Sequence, residues 1–562
     1  MPDKLRDLSI GDIVRVPVGG RRVRGYVTAI GNGEAERPLR PVISRSGSWS
    51  VFGRSMLESL RWVSTHYVAP LSTVLSRCAP PNLARTNPKA MTSAFAAEPG
   101  PLTLWGERQV RSGRTRPGYL LTGDPLPGAV SAIGPVLDAG RNVIVTAPTV
   151  VEVAAVAQRL SQTFGGRVRT ATSDDSAAAR TTSWTRLAKG TGSVVVGTRE
   201  VAFWGVSGLG LAIVLDEGRR GYKSPRTPTY HVRDVLRRRS TIERFPLLLT
   251  GAVPTSEAVA GGPETIRERR RIWPNVEIVD RTAEAEGHAT IANSVRQAIA
   301  AAGESATVFV LVPHRGGTYR CARCRELRRC PSCDAILGRD GHCAHCGTAT
   351  SACASCGGTR FEPLGAGVPR IVDDLSRVFG ARVGSAGCGR RITVGTERDL
   401  VGLEPVDLVA VVNPDVWVLT PNYRADEDAL RILVRAVLAA KPGRGRRAVV
   451  QTSIPGHPVF DALRSGDPIP FMNGVIARRE GTGFPPVGEL IALEADAPDA
   501  HDLLSEAASG AALLGPAREA NRDRWLIQGP DLARTRLRLR TAVGRLRDGG
   551  NRVRVDADPV DL

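Results

Sequence analysis

Eight of the ten cysteines in this chain of 562 residues lie between Cys321 and Cys356, as four C-x-x-C pairs: Cys321/Cys324, Cys330/Cys333, Cys343/Cys346 and Cys353/Cys356. A C-x-x-C turn presents two thiolates from one tight knuckle, and zinc takes four soft ligands in a tetrahedron. Four knuckles therefore make two four-cysteine zinc sites. The links between pairs are 5, 9 and 6 residues long, which suits serial pairing and nested pairing alike. A redox dithiol needs only one pair, so the repetition argues against disulfide or redox chemistry. With no Asp, Glu or His required, each site is expected to be closed and structural, without a position for water. His342 and His345 read as surface histidines beside a knuckle. Arg320, Arg323, Arg325, Arg328 and Arg329 stand where they can offset thiolate charge or face phosphate. Cys78 and Cys388 lie apart and are expected to be buried thiols.

The chain that carries these knuckles is basic, with 76 Lys and Arg against 56 Asp and Glu and a net charge of +20. Such a balance favours a phosphate-backbone partner without choosing DNA or RNA. There is no apolar leader behind the first residues and no apolar run near the length of a membrane span, so a cytoplasmic, nucleoid-associated protein with no membrane partner is expected.

Around the cysteines the hydrophobic pattern alternates strand and helix. GYLLTG, NVIVTAP, SVVVGT, LGLAIVLDE and PLLLTGAVP are near-continuous apolar strands, as in a parallel sheet covered on both faces. A second set begins at ATVFVLVP and resumes after the cysteines with RITVGT, VDLVAVVNPD and RRAVVQTS. The chain opens with GDIVRVPVGGRRVRGYVTAIG, a hairpin about Gly19-Gly20 that carries Arg21, Arg22 and Arg24 as candidate DNA contacts. A helical stretch then runs to Pro80-Pro81. The expected organisation is an N-terminal DNA-binding domain over 1–95, a linker over 96–117, an α/β lobe over 118–265 and a second lobe over 300–488. The second lobe is interrupted by the zinc insertion 321–357, and a small α+β domain over 489–562 closes the chain, with an arginine-rich helix carrying Arg534, Arg536, Arg538, Arg540, Arg545 and Arg547.

APTVVEV, VVVGTREVAFWG, LDEGRRGYKSPRTPTYHVRDV, LLTGAVPTSEAV, VPHRGGTYRCARC, RITVGTERDLVGLEPVDLVAVVNPD and RREGTGFPPVGEL, in this order, resemble the primosomal protein N′ (PriA) family of replication-restart helicases over nearly the full length. The resemblance implies an α/β fold of two RecA-like superfamily 2 helicase lobes, with a two-zinc, eight-cysteine insertion, a shortened N-terminal β domain and an α+β C-terminal domain. It also implies nested pairing, with Cys321, Cys324, Cys353 and Cys356 on one zinc and Cys330, Cys333, Cys343 and Cys346 on the other. By the same resemblance, Tyr222, Lys223, Tyr230 and Arg233 follow the acidic box as candidate single-strand contacts, since aromatic and cationic groups suit stacking and phosphate pairing.

The departures bear on catalysis. A phosphate loop needs consecutive backbone N–H groups, a lysine and a hydroxyl for Mg²⁺. The matching LLTGDPLPGAVSAIG has Asp124, Pro125 and Pro127, with no lysine or hydroxyl at the corresponding place. The family's acidic box reads Asp216-Glu217-Gly218-Arg219 here, leaving Asp216 and Glu217 as remnants without the coupling histidine. The family's arginine motif corresponds to VRAVLAAKPGRG, which lacks its glutamine and arginine finger. The expected function is therefore structure-specific binding of branched or forked DNA with single-stranded regions, and recruitment of restart partners, namely the replicative helicase or its loader and single-strand-binding protein. Two Zn²⁺ are the expected cofactors, and the losses argue against ATP/Mg²⁺. The alternative is an active ATP-dependent 3′-5′ DNA helicase.

Overall fold

The computed structural model describes the chain apart from residues 1–6, 32–39, 81–94, 96–98, 113–115, 285–289, 315–317, 334, 336, 338–340, 344–345, 365–366, 442–446 and 520–521. Two compact units emerge, one of residues 1–269 with 472–562 and one of residues 270–471. Among the described residues no helix is long and apolar enough to cross a membrane.

The first unit opens with a three-stranded antiparallel sheet, β1 (Asp12–Val18), β2 (Arg21–Tyr26) and β3 (Ser44–Ser50), in the order β2-β1-β3. Gly19 and Gly20 join β1 to β2 with φ of 55° and 76°. A two-residue hairpin needs positive φ at both central positions, which glycine supplies without a Cβ penalty. At the base of the sheet Asp12 is fully buried, and its carboxylate accepts from Arg45, Ser50 and the Ser9 backbone N–H. The helical stretch that follows is two helices rather than one, α1 (Arg54–His66) and α2 (Leu71–Leu75). They are separated where Val68 takes a φ of 47° ahead of Pro70, a backbone state a β-branched residue rarely adopts.

Lobe 1 follows. Within the stretch expected to be a linker, α3 (Thr103–Ser112) is a helix whose Trp105 enters the lobe core together with Leu102 just before it. The Pro, Ser and Thr content around that helix masks its short apolar face. β4 (Gly118–Leu121), α4 (Leu126–Asp138), β5 (Asn142–Thr146), α5 (Val150–Phe164), β6 (Val168–Ala171), α6 (Ala177–Lys189), β7 (Val194–Gly197), β8 (Leu209–Val214), α7 (Val232–Glu243), β9 (Leu247–Gly251), α8 (Ser256–Ala260) and β10 (Glu264–Arg267) complete it. Its seven strands are all parallel, in the order β10-β4-β9-β8-β5-β7-β6. β4, β5, β7 and β9 are buried along their whole length, as their uninterrupted apolar runs require of strands covered on both faces.

The second unit holds β11 (Val276–Asp280), α9 (Asn293–Ala301), β12 (Val308–Leu311), β13 (Thr318–Cys321), β14 (Phe361–Leu364), α10 (Val368–Phe379), β15 (Val383–Ser385), β16 (Ile392–Gly395), β17 (Leu408–Val412), α11 (Asp415–Val418), α12 (Ala425–Leu438), β18 (Arg447–Thr452) and α13 (Pro458–Ser465). Its parallel sheet runs β11-β18-β17-β12-β16-β15. The lobe thus begins upstream of residue 300, because β11 completes the sheet and α9 packs in its core. Its compact body ends at Phe471 instead of residue 488.

The chain then crosses α14 (Ile469–Glu480) into β19 (Glu489–Ala495), α15 (Ala500–Ala507), β20 (Ala512–Glu519), β21 (Arg522–Gly529), α16 (Ala533–Asp548) and β22 (Val553–Ala557). This C-terminal domain is an antiparallel sheet of order β20-β21-β19-β22, and it belongs to the first unit.

Candidate metal centres, nucleotide-site remnant and nucleic-acid interface

The cysteine-rich insertion leaves lobe 2 through β13 and returns through β14, which pair antiparallel with Cys321 opposite Phe361. Within it the thiols gather into two sets, Cys321, Cys324, Cys353 and Cys356, and Cys330, Cys333, Cys343 and Cys346, with all Sγ atoms of a set within 4.8 Å of one another. The pairing is nested, which link lengths alone left open. Cys321 and Cys356 lie 3.5 Å apart, Cys324 and Cys353 3.6 Å, Cys330 and Cys346 3.5 Å, and Cys333 and Cys343 3.4 Å. A tetrahedral centre with metal–sulfur bonds of about 2.3 Å has sulfur–sulfur edges of about 3.8 Å, so both sets match a closed four-thiolate site. All eight are free thiols, and a disulfide would need about 2.05 Å.

Hydrogen bonds prepare one sulfur of each set for the anionic state, whereas Cys324 and Cys333, despite the backbone N–H groups of Glu326 and Ala335, are pushed up to about 12 by burial and the adjoining thiols. The N–H groups of Cys324 and Arg323 hold the Cys321 thiol down to about 7. Thr348, through its hydroxyl and its backbone N–H, draws Cys346 down to about 6. His342 is exposed, with both thiolate sets complete without it, and His345 lies outside the described residues. Three of the neighbouring arginines have protein partners. Arg320 and Arg325 lie 3.7 and 3.2 Å from Glu362, and Arg328 stacks 4.2 Å over the Phe361 ring while donating to the Thr350 carbonyl. Of the remaining cysteines Cys78 is buried, but Cys388 is exposed, contrary to the sequence expectation, since it sits in a turn rather than on a core face.

In lobe 1 the turn from β4 to α4 stands where a phosphate loop would. The first turn of a helix offers unpaired N–H groups that attract anions. Here two of those positions, Pro125 and Pro127, have no N–H, and the Leu126 N–H donates to the Asp124 carboxylate at 3.1 Å. An anion already sits at this terminus, and it belongs to the chain. The glutamate Glu268 lies 3.3 Å from the Thr122 hydroxyl and adds further negative charge. Gly128 is needed for packing, because a Cβ there would lie 2.4 Å from the Leu120 side chain.

The acidic-box remnants follow β8. Glu217 is fully buried and accepts from the Thr255 backbone N–H at 2.7 Å, the Thr255 hydroxyl at 3.1 Å and Arg233 at 3.2 Å. Asp216 faces Arg219 at 3.5 Å, and Arg219 in turn binds Glu152 at 2.9 Å. The arginine in the histidine's place thus brings a fixed cation to the acids. Sequence reading passed over Glu152, although Thr149-x-x-Glu152 is a capping-box pattern that places this carboxylate at the start of α5. Val434 lies in α12 as part of an apolar, buried face, whereas residues 442–446 of the arginine-motif counterpart lie outside the described residues.

Of the candidate DNA contacts, Arg21 and Arg22 are exposed beside the β1–β2 turn, while Arg24 reaches the Pro80 carbonyl and lies over the Tyr26 ring. The four residues after the acidic box are elsewhere than expected. Tyr222 and Tyr230 have no exposed surface, and Lys223 and Arg233 are 8% and 4% exposed. A stacking platform must present a ring face to solvent. The Tyr222 hydroxyl is instead within 2.8 Å of the Thr146 and Leu215 carbonyls, Tyr230 packs edge-on to Phe203, and Arg233 serves Glu217, Asp234 and Thr255. The reading of these four as strand contacts is corrected to a buried structural role. On the arginine-rich α16, Arg536 is also buried, bound to Glu489 and to the His66 carbonyl, whereas Arg534, Arg538, Arg540 and Arg545 are exposed.

Residues 1–80 match a family model described as the 3′ DNA-binding domain (3′BD) of PriA. The replication restart protein PriA of Treponema pallidum is 25% identical, in an alignment covering 98% of this chain and 95% of that protein. Over nearly its whole length the chain is similar to PriA. The replication restart protein PriA of Synechocystis is likewise 25% identical, over 64% of this chain and 49% of that protein, so the chain spans about half the length of the first curated relatives it matches. Among solved structures, RecG bound to a three-way DNA junction aligns with a TM-score of 0.38 and 13% identity, covering 75% of this chain and 53% of that one. Two parallel α/β lobes, with two four-thiolate clusters inserted in the second, are what the resemblance drawn from the sequence implied.

Proposed function

We propose that this chain binds branched DNA at stalled replication forks and recruits helicase-loading partners for replication restart, without turning over ATP. Replication restart and fork binding rest on the similarity to PriA. The absence of turnover rests on one observation: every group that would meet Mg²⁺ and the nucleotide phosphates already has an internal partner. Asp124 caps α4, Glu217 is consumed by Thr255 and Arg233, and Arg219 spans Asp216 and Glu152. A triphosphate would meet Asp124 and Glu268 in place of a lysine.

The exposed arginines of the β1–β2 hairpin, Arg21 and Arg22, are proposed phosphate contacts, with Arg24 bracing the strand behind them. Each thiolate set would hold Zn²⁺ as a closed scaffold that fixes the shape of the insertion. The replicative helicase or its loader and single-strand-binding protein are the partners proposed.

The test is ATP hydrolysis by the zinc-replete protein with and without forked DNA, with fork affinity read by anisotropy in the same samples. Tight, salt-sensitive binding without DNA-stimulated hydrolysis supports the reading. Stimulated hydrolysis that is lost in Asp216→Ala would replace it with the active-helicase alternative.

A further inference from the structure

The buried segment behind the acidic box does something the strand-contact reading did not foresee. Lys223 is almost wholly buried, and an ammonium has three hydrogens to place. Two are donated to the end of the C-terminal domain, to the Asp558 carbonyl at 2.9 Å and to the Ala557 carbonyl, and the Asp556 carboxylate pairs with the charge at 2.9 Å. Six residues later the Thr229 hydroxyl donates to the Val555 carbonyl at 3.2 Å. One lobe 1 segment therefore grips successive residues around the end of β22.

The same segment holds the N-terminal domain. The His231 backbone N–H donates to the Tyr67 hydroxyl at 3.3 Å, and Arg77 donates to the Thr227 carbonyl at 3.2 Å while covering the Tyr230 ring. The segment cannot easily shift, because Tyr222 is anchored under the sheet and Lys223 bridges back to His231. The third side of the triangle is closed directly. His66, at the end of α1, meets the Asp558 carboxylate at 2.7 Å, and Arg536 of α16 donates to the His66 carbonyl at 3.0 Å.

We propose that Gly218–His231 is a fixed strut keyed by Lys223, which holds the N-terminal and C-terminal domains on lobe 1 at one constant spacing whether or not DNA or nucleotide is present. Two mostly solvent-facing contacts would leave such domains free to swing. A buried cation whose hydrogen bonds and counter-charge come from the neighbouring domain does not, because pulling that domain away strands the charge. The strut deepens the proposed function, since a protein that reads branch geometry without ATP-driven motion needs its DNA-facing parts at a set separation. It stands or falls on a distance, so failure of the strut and failure of the no-turnover reading are told apart.

The experiment is a pulsed electron-spin distance measurement on the full, zinc-loaded chain. Spin-labelled non-natural residues replace the exposed Ser44 of β3 and Asp548 of α16, which spares the metal thiols. The expected result is one narrow distance distribution, the same with and without forked DNA or Mg·ATP, and a distribution at least twofold wider in Lys223→Met. A wild-type distribution that is already broad, or that moves on adding DNA, overturns the proposal. So does a Lys223→Met distribution as narrow as the wild type. If Lys223→Met fails to fold, judged by zinc content and circular dichroism, Thr229→Val combined with Asp556→Asn is measured in its place against the same criteria.

Discussion

His231 turns the burial of that segment into a measurable dependence on pH. Its ring is buried at the start of α7, where Nδ1 accepts the Arg233 backbone N–H at 3.2 Å. A ring nitrogen that accepts cannot carry a proton, so the cap requires the neutral imidazole. Burial first, then the positive charges of Arg233 and Lys223, lower the His231 pKa to about 3, against the opposing pull of Asp234 and Glu257. A histidine with a folded pKa below its unfolded value supports stability fully above the unfolded pKa, and that support is lost as pH falls toward the folded one. With an unfolded pKa of about 6.5, the loss between pH 7 and pH 5 is about 2 kcal/mol. At pH 5 the folded ring is still neutral, so the figure depends on the unfolded pKa and only weakly on the folded one. The assay is hydrogen exchange of α7 amides, or denaturant midpoints, across this range in wild type and in His231→Asn, which keeps a capping side chain but does not titrate. The difference between the two proteins should change by about 2 kcal/mol from pH 7 to pH 5, favouring the variant in acid. Parallel pH curves would refute the assignment of a neutral, capping imidazole.

Glu217→Ala should strip the buried Thr255 groups and Arg233 of an acceptor while Asp234 still pairs the guanidinium, at a cost of about 1–3 kcal/mol seen as a lowered unfolding midpoint; a near-neutral effect would return Glu217 to the list of catalytic candidates. Asp124→Ala removes an anion from the α4 terminus and should cost about 1 kcal/mol while conferring no affinity for ATP in titration calorimetry. Thiol-specific mercurial titration should release two zinc ions per chain, and Cys330→Ser should release fewer; two ions released from the variant would contradict the nested sets. Arg21→Ala with Arg22→Ala should weaken fork binding and reduce the slope of log affinity against log salt by about two, if each side chain meets one duplex phosphate. An unchanged slope would move the contact away from this hairpin.

The lobes were legible because their strands are buried on both faces, and an apolar run such as NVIVT or LLLTG has few other ways to be satisfied. The thiolate sets were legible as two sites from C-x-x-C repetition alone, while their nesting came only from family likeness and then from the folded distances. The segment around Lys223 was misread for a physical reason. Tyrosines interleaved with cations have the same composition whether they face a nucleic acid or seal a junction. The residues that decide between these, Asp556 to Asp558, lie more than 330 positions away in the chain. The α3 helix was hidden similarly, since Leu102 and Trp105 find their apolar partners only in the assembled lobe.

The nested thiolates also impose an order of assembly. As the chain leaves the ribosome, the inner ligand set is complete once Cys346 emerges, while the outer set waits ten residues longer for Cys356, a delay of about one second at ordinary synthesis rates. Closing the inner site first shortens the flexible path that the outer site must close, so the second ring forms at lower entropic cost than it would alone. When β14 then pairs with β13, the whole insertion has become, for lobe 2, no longer a loop than a hairpin. The lobe's parallel sheet can assemble around it as though the insertion were already a folded part.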